Sequence, residues 1–322
     1  MRRMRFLPLF LLSLVLPFTA AAQPFPSKPV RIIVPFPPGG PLDPLARGFA
    51  PALSQSLGQQ VVVENRAGAT GTIGYNACAM ATDGYTLCMA TTDLMILPHL
   101  MKLPFNLDQD IAPITQLLYF RQFLIANSLA PYNNFKEMVE HARANPGKIN
   151  FGSFGEGGGA HQLIAVINQQ MGINVVHVPY KGSGPALQGV LGGEVDMAVA
   201  VAPTAGPLLK AGKIKVLAVN GDAPMSDFPG IGTYRAQGFA LDVKNWWGVV
   251  GSTKAPKDHI TRLNRDIVKV IGEPEYRRKF MEAFYYEPIG NTPEQFAENL
   301  KAGKAVAEAI AAALKASGYR GQ

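Results

Sequence analysis

The stretch Val30–Asp43, VRIIVPFPPGGPLD, decides how the rest of the chain is read. Val30–Val34 is a short β-branched run that predicts a strand. Downstream, Leu45, Phe49, Leu53 and Leu57 recur at helical spacing, with Gly58 placed to end the helix. Four prolines and two glycines lie between Val34 and Asp43, more than an ordinary strand-to-helix turn needs. Glycines let backbone N–H groups approach a guest, and prolines stiffen the loop so that little ordering entropy is lost on binding. Asp43 followed by Pro44 reads as the N-cap and first residue of the helix. Residues 35–42 would then rest on the positive end of the helix dipole, which suits an anion.

The same theme repeats outward from this stretch. Val61–Val63, TLCMA from Thr86, INFGSF from Ile149, VVHVPY from Val175, VDMAVAV from Val195 and IKVLAVN from Ile214 are further strand-like runs, with helical segments between them. Pro51 lies inside the first helix and is expected to kink it, at a cost of about 3 kcal/mol. This alternation predicts sheets with crossover helices. There are more strands than one small sheet needs, and a single core nears its size limit at 322 residues. A two-lobed α/β chain follows, each lobe a mixed or parallel sheet flanked by helices, with a ligand cleft between. Phe123–Ala126 is expected to carry the chain out and Trp246–Val250 to bring it back. The lobes are thus expected over residues 23–124, 125–246 and, returning to the first, 247–322. The tail reads as helices packed on the first lobe, the longest over 293–317 with Thr292 as N-cap.

The chain opens with Arg2, Arg3 and Arg5, an apolar run from Phe6 to Phe18, and Ala20-Ala21-Ala22. This is the pattern of a secretory signal peptide over residues 1–22, since a thirteen-residue apolar run falls short of the roughly 20 that span a bilayer. Without those three arginines the formal charge falls from +7 to +4, too mild to argue for nucleic acid. Cys78 and Cys88 lie ten residues apart on a helix-like and a strand-like segment. Two buried, unpaired thiols are expected there, with a bridge as the alternative in an oxidising compartment. The five histidines show no metal spacing, so neither a metal nor a cofactor is expected.

In open α/β sheets, ligands bind beyond the carboxyl ends of strands. Five turns qualify. The first offers Phe36, Pro38, Gly39, Gly40, Pro41, Leu42 and Asp43, and Thr91 and Thr92 follow TLCMA. The stretch from Asn150 to His161 holds five glycines and offers Ser153, Phe154, Gly155, Gly158, Gly159 and His161. Tyr180, Lys181 and Gly182 follow VVHVP, and Pro203 and Thr204 follow VDMAVAV. Four or five charge-assisted hydrogen bonds at about 1.5–3 kcal/mol each cover the roughly 8 kcal/mol of a micromolar complex. No arginine is needed, and these loops contain none. Lys181 reads either as a carboxylate partner or as a solvated charge, and Trp246-Trp247 either line the cleft or lie in a buried interlobe strand.

Enzyme readings fail on particular residues. Gly155–Ala160 fits G-x-G-x-x-A, yet the next strand ends in Tyr180-Lys181 where a ribose-binding acid is required. Neither Ser153 nor Ser183 sits in G-x-S-x-G. His161 opens a helix and reads as a ligand contact or cap before a general base, and Asp43 as a cap before an acid catalyst.

The leader together with PSKPVRIIVPFPPGGPLD, VVVENRAGATGTIG, DGYTL, FGSFGEGGGAHQ, VVHVPYKGSGPALQGVLGGEVDMAV and KIKVLAV resembles the extracytoplasmic substrate receptors of tripartite tricarboxylate transporters, the Bug-type binding proteins. The resemblance runs through nearly the whole chain after the leader. It implies a periplasmic, type II-like binding-protein fold, expected to act as a monomer, that closes on a small carboxylate and delivers it to inner-membrane permease subunits. It also implies that the two glycine loops pinch one carboxylate, largely through backbone groups and ordered water. A sensor that presents its loaded form to a membrane signalling partner is the alternative. Leu42 stands where family members often carry Thr or Asn, and Gly158 and Gly159 where many carry Thr or Ser. Fewer hydroxyl donors and a less polar pocket near Leu42 and Phe154 are therefore expected, suiting a ligand with an apolar or aromatic body.

Overall fold

The computed structural model describes residues 25–241 and 244–320; the leader expected over 1–22 lies outside them. Its strands, in chain order, are β1 (Val30–Val34), β2 (Val61–Asn65), β3 (Thr86–Thr91), β4 (Ile111–Phe120), β5 (Gln122–Asn127), β6 (Asn150–Ser153), β7 (Val176–Pro179), β8 (Met197–Val201), β9 (Ile214–Val219), β10 (Asn245–Ser252) and β11 (Tyr286–Pro288). They form two mixed sheets flanked by helices, ordered β11-β4-β10-β3-β1-β2 and β7-β6-β8-β5-β9. Both faces of each sheet are covered. Leu124 packs into one apolar cluster of the second lobe while Phe123 and Ile125, pointing the other way, pack into another. Burial on both sides is why these strands read as continuous apolar runs rather than alternating ones.

Strand direction places the cleft. β1, β2 and β3 are parallel, as are β6, β7 and β8. β10 runs against its neighbours β3 and β4, and β5 against β8 and β9. β5 and β10 are the strands that arrive from the other lobe; the three-residue β11 is also antiparallel to its neighbour β4. A chain entering a sheet at the seam must run away from it, whereas the other long strands end there. Only Arg121 separates β4 from β5, and the return falls between Val219 and Asn245. By sheet membership, then, Phe123–Ala126 already lies inside the second sheet and Trp246–Val250 inside the first.

Three sequence expectations change. β4 was not foreseen: IAPITQLLYF carries Pro113, which cannot donate to a ladder. The structure accommodates it at an irregularity, where the register with β10 shifts between Val249 and Val250, the partner of Pro113. Next, the C-terminal helix Pro293–Ala316 does not sit on the first lobe alone. Phe296 packs with Tyr75 and Val250, and Ala307 and Ala311 with Met95 and Ile96, but Ala313, Leu314 and Tyr319 join the second-lobe core. At 24 residues the helix is long enough, at about 1.5 Å per residue, to cross both lobes. Its start matches the sequence, with Thr292 and Gln295 forming a capping box. The helix Lys257–Gly272 stays on the first lobe.

The third correction is the cysteine pair. Cys78, on the helix Thr72–Ala79, is disulfide-bonded to Cys88 on β3, with Cα atoms 6.1 Å apart. Tyr75, Cys78 and Ala79 pack directly on Cys88 and Ala90. The short turn between helix and strand thus folds the two thiols onto one another, a direction the sequence spacing left open. Replacing both cysteines by alanine is expected to cost about 2–3 kcal/mol, the chain-entropy value for a loop of this size. Denaturant unfolding should show that loss, and reduction of the wild-type protein should reproduce it.

Candidate functional site

The carboxyl ends of β1, β2, β3 and β4 share one edge of the first sheet, and those of β6, β7, β8 and β9 one edge of the second. The two edges meet at the seam where the chain crosses. Every turn expected to bind therefore opens toward that seam, although the side chains in those turns divide.

In the first turn, the helix Leu42–Leu57 begins ahead of Asp43, with Pro41 before it, and runs through Pro51 to Gly58. Asp43 is therefore not the N-cap. Its carboxylate accepts from Arg47 at 3.1 Å and weakly from the Gly39 N–H at 3.4 Å. Burial opposes its ionisation, but hydrogen bonds from Arg47, Asn65 and Gly39 prevail and hold it below the usual carboxylate range. Leu42 lies in the first-lobe core and Phe36 packs against it, whereas Pro38, Gly39 and Pro41 are exposed. Gly40 is half-buried and its carbonyl takes the Asp43 N–H at 3.1 Å.

Beside this turn runs a loop that sequence reasoning did not assign to the site. Gly68, Ala69, Thr70 and Gly71 all have positive φ, at 132°, 46°, 54° and 90°. For Ala69 and Thr70 that conformation costs on the order of 1–3 kcal/mol each, a cost that concentrates at ligand clamps and switches. The signal was the glycine pair around A-T in RAGATG.

β3 ends at Thr91, and Thr92 opens the turn that follows. Thr92 Oγ1 is engaged by the Trp246 N–H at 2.8 Å and the Trp246 carbonyl at 3.2 Å. Trp247 is buried in the first-lobe core, so both tryptophans are strand residues of β10. Thr91 Oγ1 is enclosed and finds no well-formed hydrogen bond among the described residues.

The second glycine turn is wired from behind. Ser153 is fully buried, with its hydroxyl 2.6 Å from His177 Nε2 and 3.0 Å from the Gly155 carbonyl. The Gly155 N–H donates to Ser153 Oγ and the Gly157 N–H to His161 Nδ1. Gly157 has φ 71°, and a Cβ there would lie 2.6 Å from the Tyr319 hydroxyl, so only glycine fits. Phe154 rests on Gly158 and Gly159. The amides that these bonds leave free are the first ones of the helix Gly159–Met171, which lack intrahelical acceptors.

His161 packs among second-lobe and C-terminal partners. It stacks on His177 with ring centroids 3.7 Å apart and meets Tyr319 edge-on, in a groove of about 870 Å³ shared with Glu156 and Arg320. Tyr180 leaves the seam: its ring underlies Gly152 and Gly189, and its hydroxyl donates to Glu194 at 3.2 Å. Lys181 and Thr204 are exposed at the seam-side ends of β7 and β8, where Gly182 and Pro203 begin the following helices.

Two residues that sequence reasoning missed bridge the lobes. Gln162 Nε2 donates to Asp93 Oδ1 at 3.0 Å and to the Gly157 carbonyl at 2.9 Å. Part of Asp93 stays exposed, but its carboxyl end is enclosed, and burial pushes its pKa above the usual range against the pull of Gln162. Neither residue lies in a glycine turn, so no local signal pointed to them.

The family described as tripartite tricarboxylate transporter family receptor matches residues 45–312. BugT of Bordetella pertussis is 30% identical over 286 residues, covering 85% of this chain and 86% of BugT. A solved structure described as a periplasmic transporter is 34% identical, with a TM-score of 0.77 over 89% of this chain and 97% of its own. A second, the R. palustris protein Rpa4515 with adipate, is 27% identical, with a TM-score of 0.77 over 90% and 98%.

The histidine stack makes the second lobe acid-sensitive. Burial and the neighbouring His161 push His177 down to about 4, and burial also lowers His161 against the pull of Glu156. Between the folded and unfolded values the unfolded chain binds more protons, so the stability contributed by the neutral pair is lost as pH falls from 6.5 toward about 4. Thermal unfolding across that range should show a falling midpoint, and His177→Gln should flatten the fall.

Proposed function

This chain belongs to the tripartite tricarboxylate transporter receptor family, and from that premise we propose that it captures a small carboxylate between its lobes and hands it to the permease subunits of an inner-membrane transporter. The family and its solved relatives are periplasmic solute receptors, not enzymes. A leader cleaved after Ala22 would place the protein there, and the Cys78–Cys88 disulfide agrees with an oxidising compartment.

The observation that carries the reading is the convergence at one seam of two glycine-rich strand-to-helix turns, one per sheet. The second turn offers the first amides of the helix Gly159–Met171, and the first offers the N–H groups of Gly40 and Leu42, since the Asp43 N–H is bound to the Gly40 carbonyl and Pro41 and Pro44 carry none. In this reading the carboxylate lies between Gly39-Gly40-Pro41 and Gly158-Gly159, with Thr91, Lys181, Gly182, Pro203 and Thr204 around the remainder of the ligand. Residues up to Phe120 and from Asn245 onward form one lobe and those between form the other, with the helix Pro293–Ala316 strapped across both. Phe154 supplies apolar surface beside the glycines; Leu42 belongs to the core and does not. Together with the adipate held by the R. palustris relative, this favours a dicarboxylate with an apolar spacer.

Purified protein screened by thermal shift and calorimetry against adipate, aromatic acids and citrate should respond to the acids with apolar bodies. At 100 times its Kd, such a ligand is expected to stabilise by about 2.7 kcal/mol. A response confined to citrate would overturn the apolar-spacer assignment, and silence across the panel would overturn the carboxylate assignment.

A further inference from the structure

We infer that Asp93 and Gln162 form an interlobe latch, in which the Gln162 side-chain amide ties the second-lobe glycine turn to the first lobe and so sets how far the cleft closes. Gln162 lies one turn into the helix Gly159–Met171, is 7% exposed, and bonds the carbonyl of Gly157 with the same nitrogen that bonds Asp93. A primary amide nitrogen has two hydrogens, so both are engaged, one on each side of the seam. Asp93 stands in the short turn that follows β3, next to the enclosed Thr91 hydroxyl. Gly159 approaches it closely enough that a Cβ there would lie 4.0 Å from Asp93 Oδ1.

The geometry makes Gln162 a positioning residue and not a ligand contact. Gly157 is held from behind by Tyr319 and by its N–H bond to His161. Its carbonyl therefore points to Gln162 only while the turn keeps this shape. A guest seated on the amides that open the helix stabilises that shape, and Gln162 transmits it to Asp93. If the turn relaxes, the bridge loses one of its two anchors. The hydrogen bond to the carboxyl group is strong because the acceptor is enclosed, and it forms only when the lobes are together.

The ligand arm of the test rests on the receptor reading; the conformational arm does not. Spin labels on Gln55→Cys and Leu129→Cys, exposed positions on different lobes, report the distribution of interlobe distances by pulsed electron resonance. Gln162→Leu, which keeps the volume and loses the donor, and Asp93→Ala should each shift that distribution toward longer distances without ligand and weaken adipate binding about tenfold. Asp93→Asn retains an acceptor oxygen and should stay near wild type. The double variant Asp93→Ala/Gln162→Leu should be no worse than Gln162→Leu alone, which already removes the bond to Asp93 together with the one to Gly157. Wild-type distances in both single variants, or additive losses in the double, would overturn the latch. If the wild type takes up no carboxylate but Gln162→Leu still opens, the ligand assignment fails and the latch stands.

Discussion

One directional constraint organises the molecule: the long strands end at the seam between the lobes, except the two that begin there. β5 and β10 are reversed because each arrives from the opposite lobe, and their reversal lets the carboxyl ends of β1–β4 and β6–β9 point into one space, while the three-residue β11 also runs the other way. The crossing itself is narrow. Arg121 is the single residue between the sheets, and its guanidinium donates to Glu287 on β11 and to the carbonyls of Asn220 and Ala223 on the returning segment. Gly221, at φ 99°, sits so close to that guanidinium that a side chain there would push it out of place. The outgoing and returning strands are therefore tied by one cation.

The second-lobe turn shows how a glycine-rich segment is made rigid. Glycine alone would leave it floppy, since it surrenders the most conformational freedom on folding. Here Ser153, His161 and Gln162 hold its polar groups, while Tyr319 closes the space behind Gly157. Tyr319 follows the helix that also packs on the first lobe, so the shape of the turn depends on how the C-terminal helix straddles the two cores.

Most of the architecture was legible because strand-helix alternation with glycine breaks follows from local periodicity. Val30–Val34 and the capping box at Thr292 appear where the pattern put them. What was illegible depended on the meeting of distant segments. β4 is stabilised by β10, more than a hundred residues on, and its Pro113 argued locally against a strand. The disulfide needed the direction of two side chains. The C-terminal helix needed knowledge of which faces of two lobes were left uncovered. Within the turns expected to bind, side-chain directions were not legible: His161, Tyr180 and Leu42 stand in those turns and face other partners.

That division has a functional consequence. The side chains that looked most like ligand-binding tools are used to brace the turns, His161 against His177 and Tyr180 against Glu194. On the proposed reading, backbone amides are left to meet the guest. Amides read negative charge and planarity but are indifferent to what the carboxylate is attached to, so the anchoring half of the cleft can remain constant while the body of the ligand changes. Discrimination must then come from the few side chains at the rim and from how tightly the lobes close. An interlobe bridge between Asp93 and Gln162 acts on the second of these without touching the first, which separates the strength of capture from the choice of ligand.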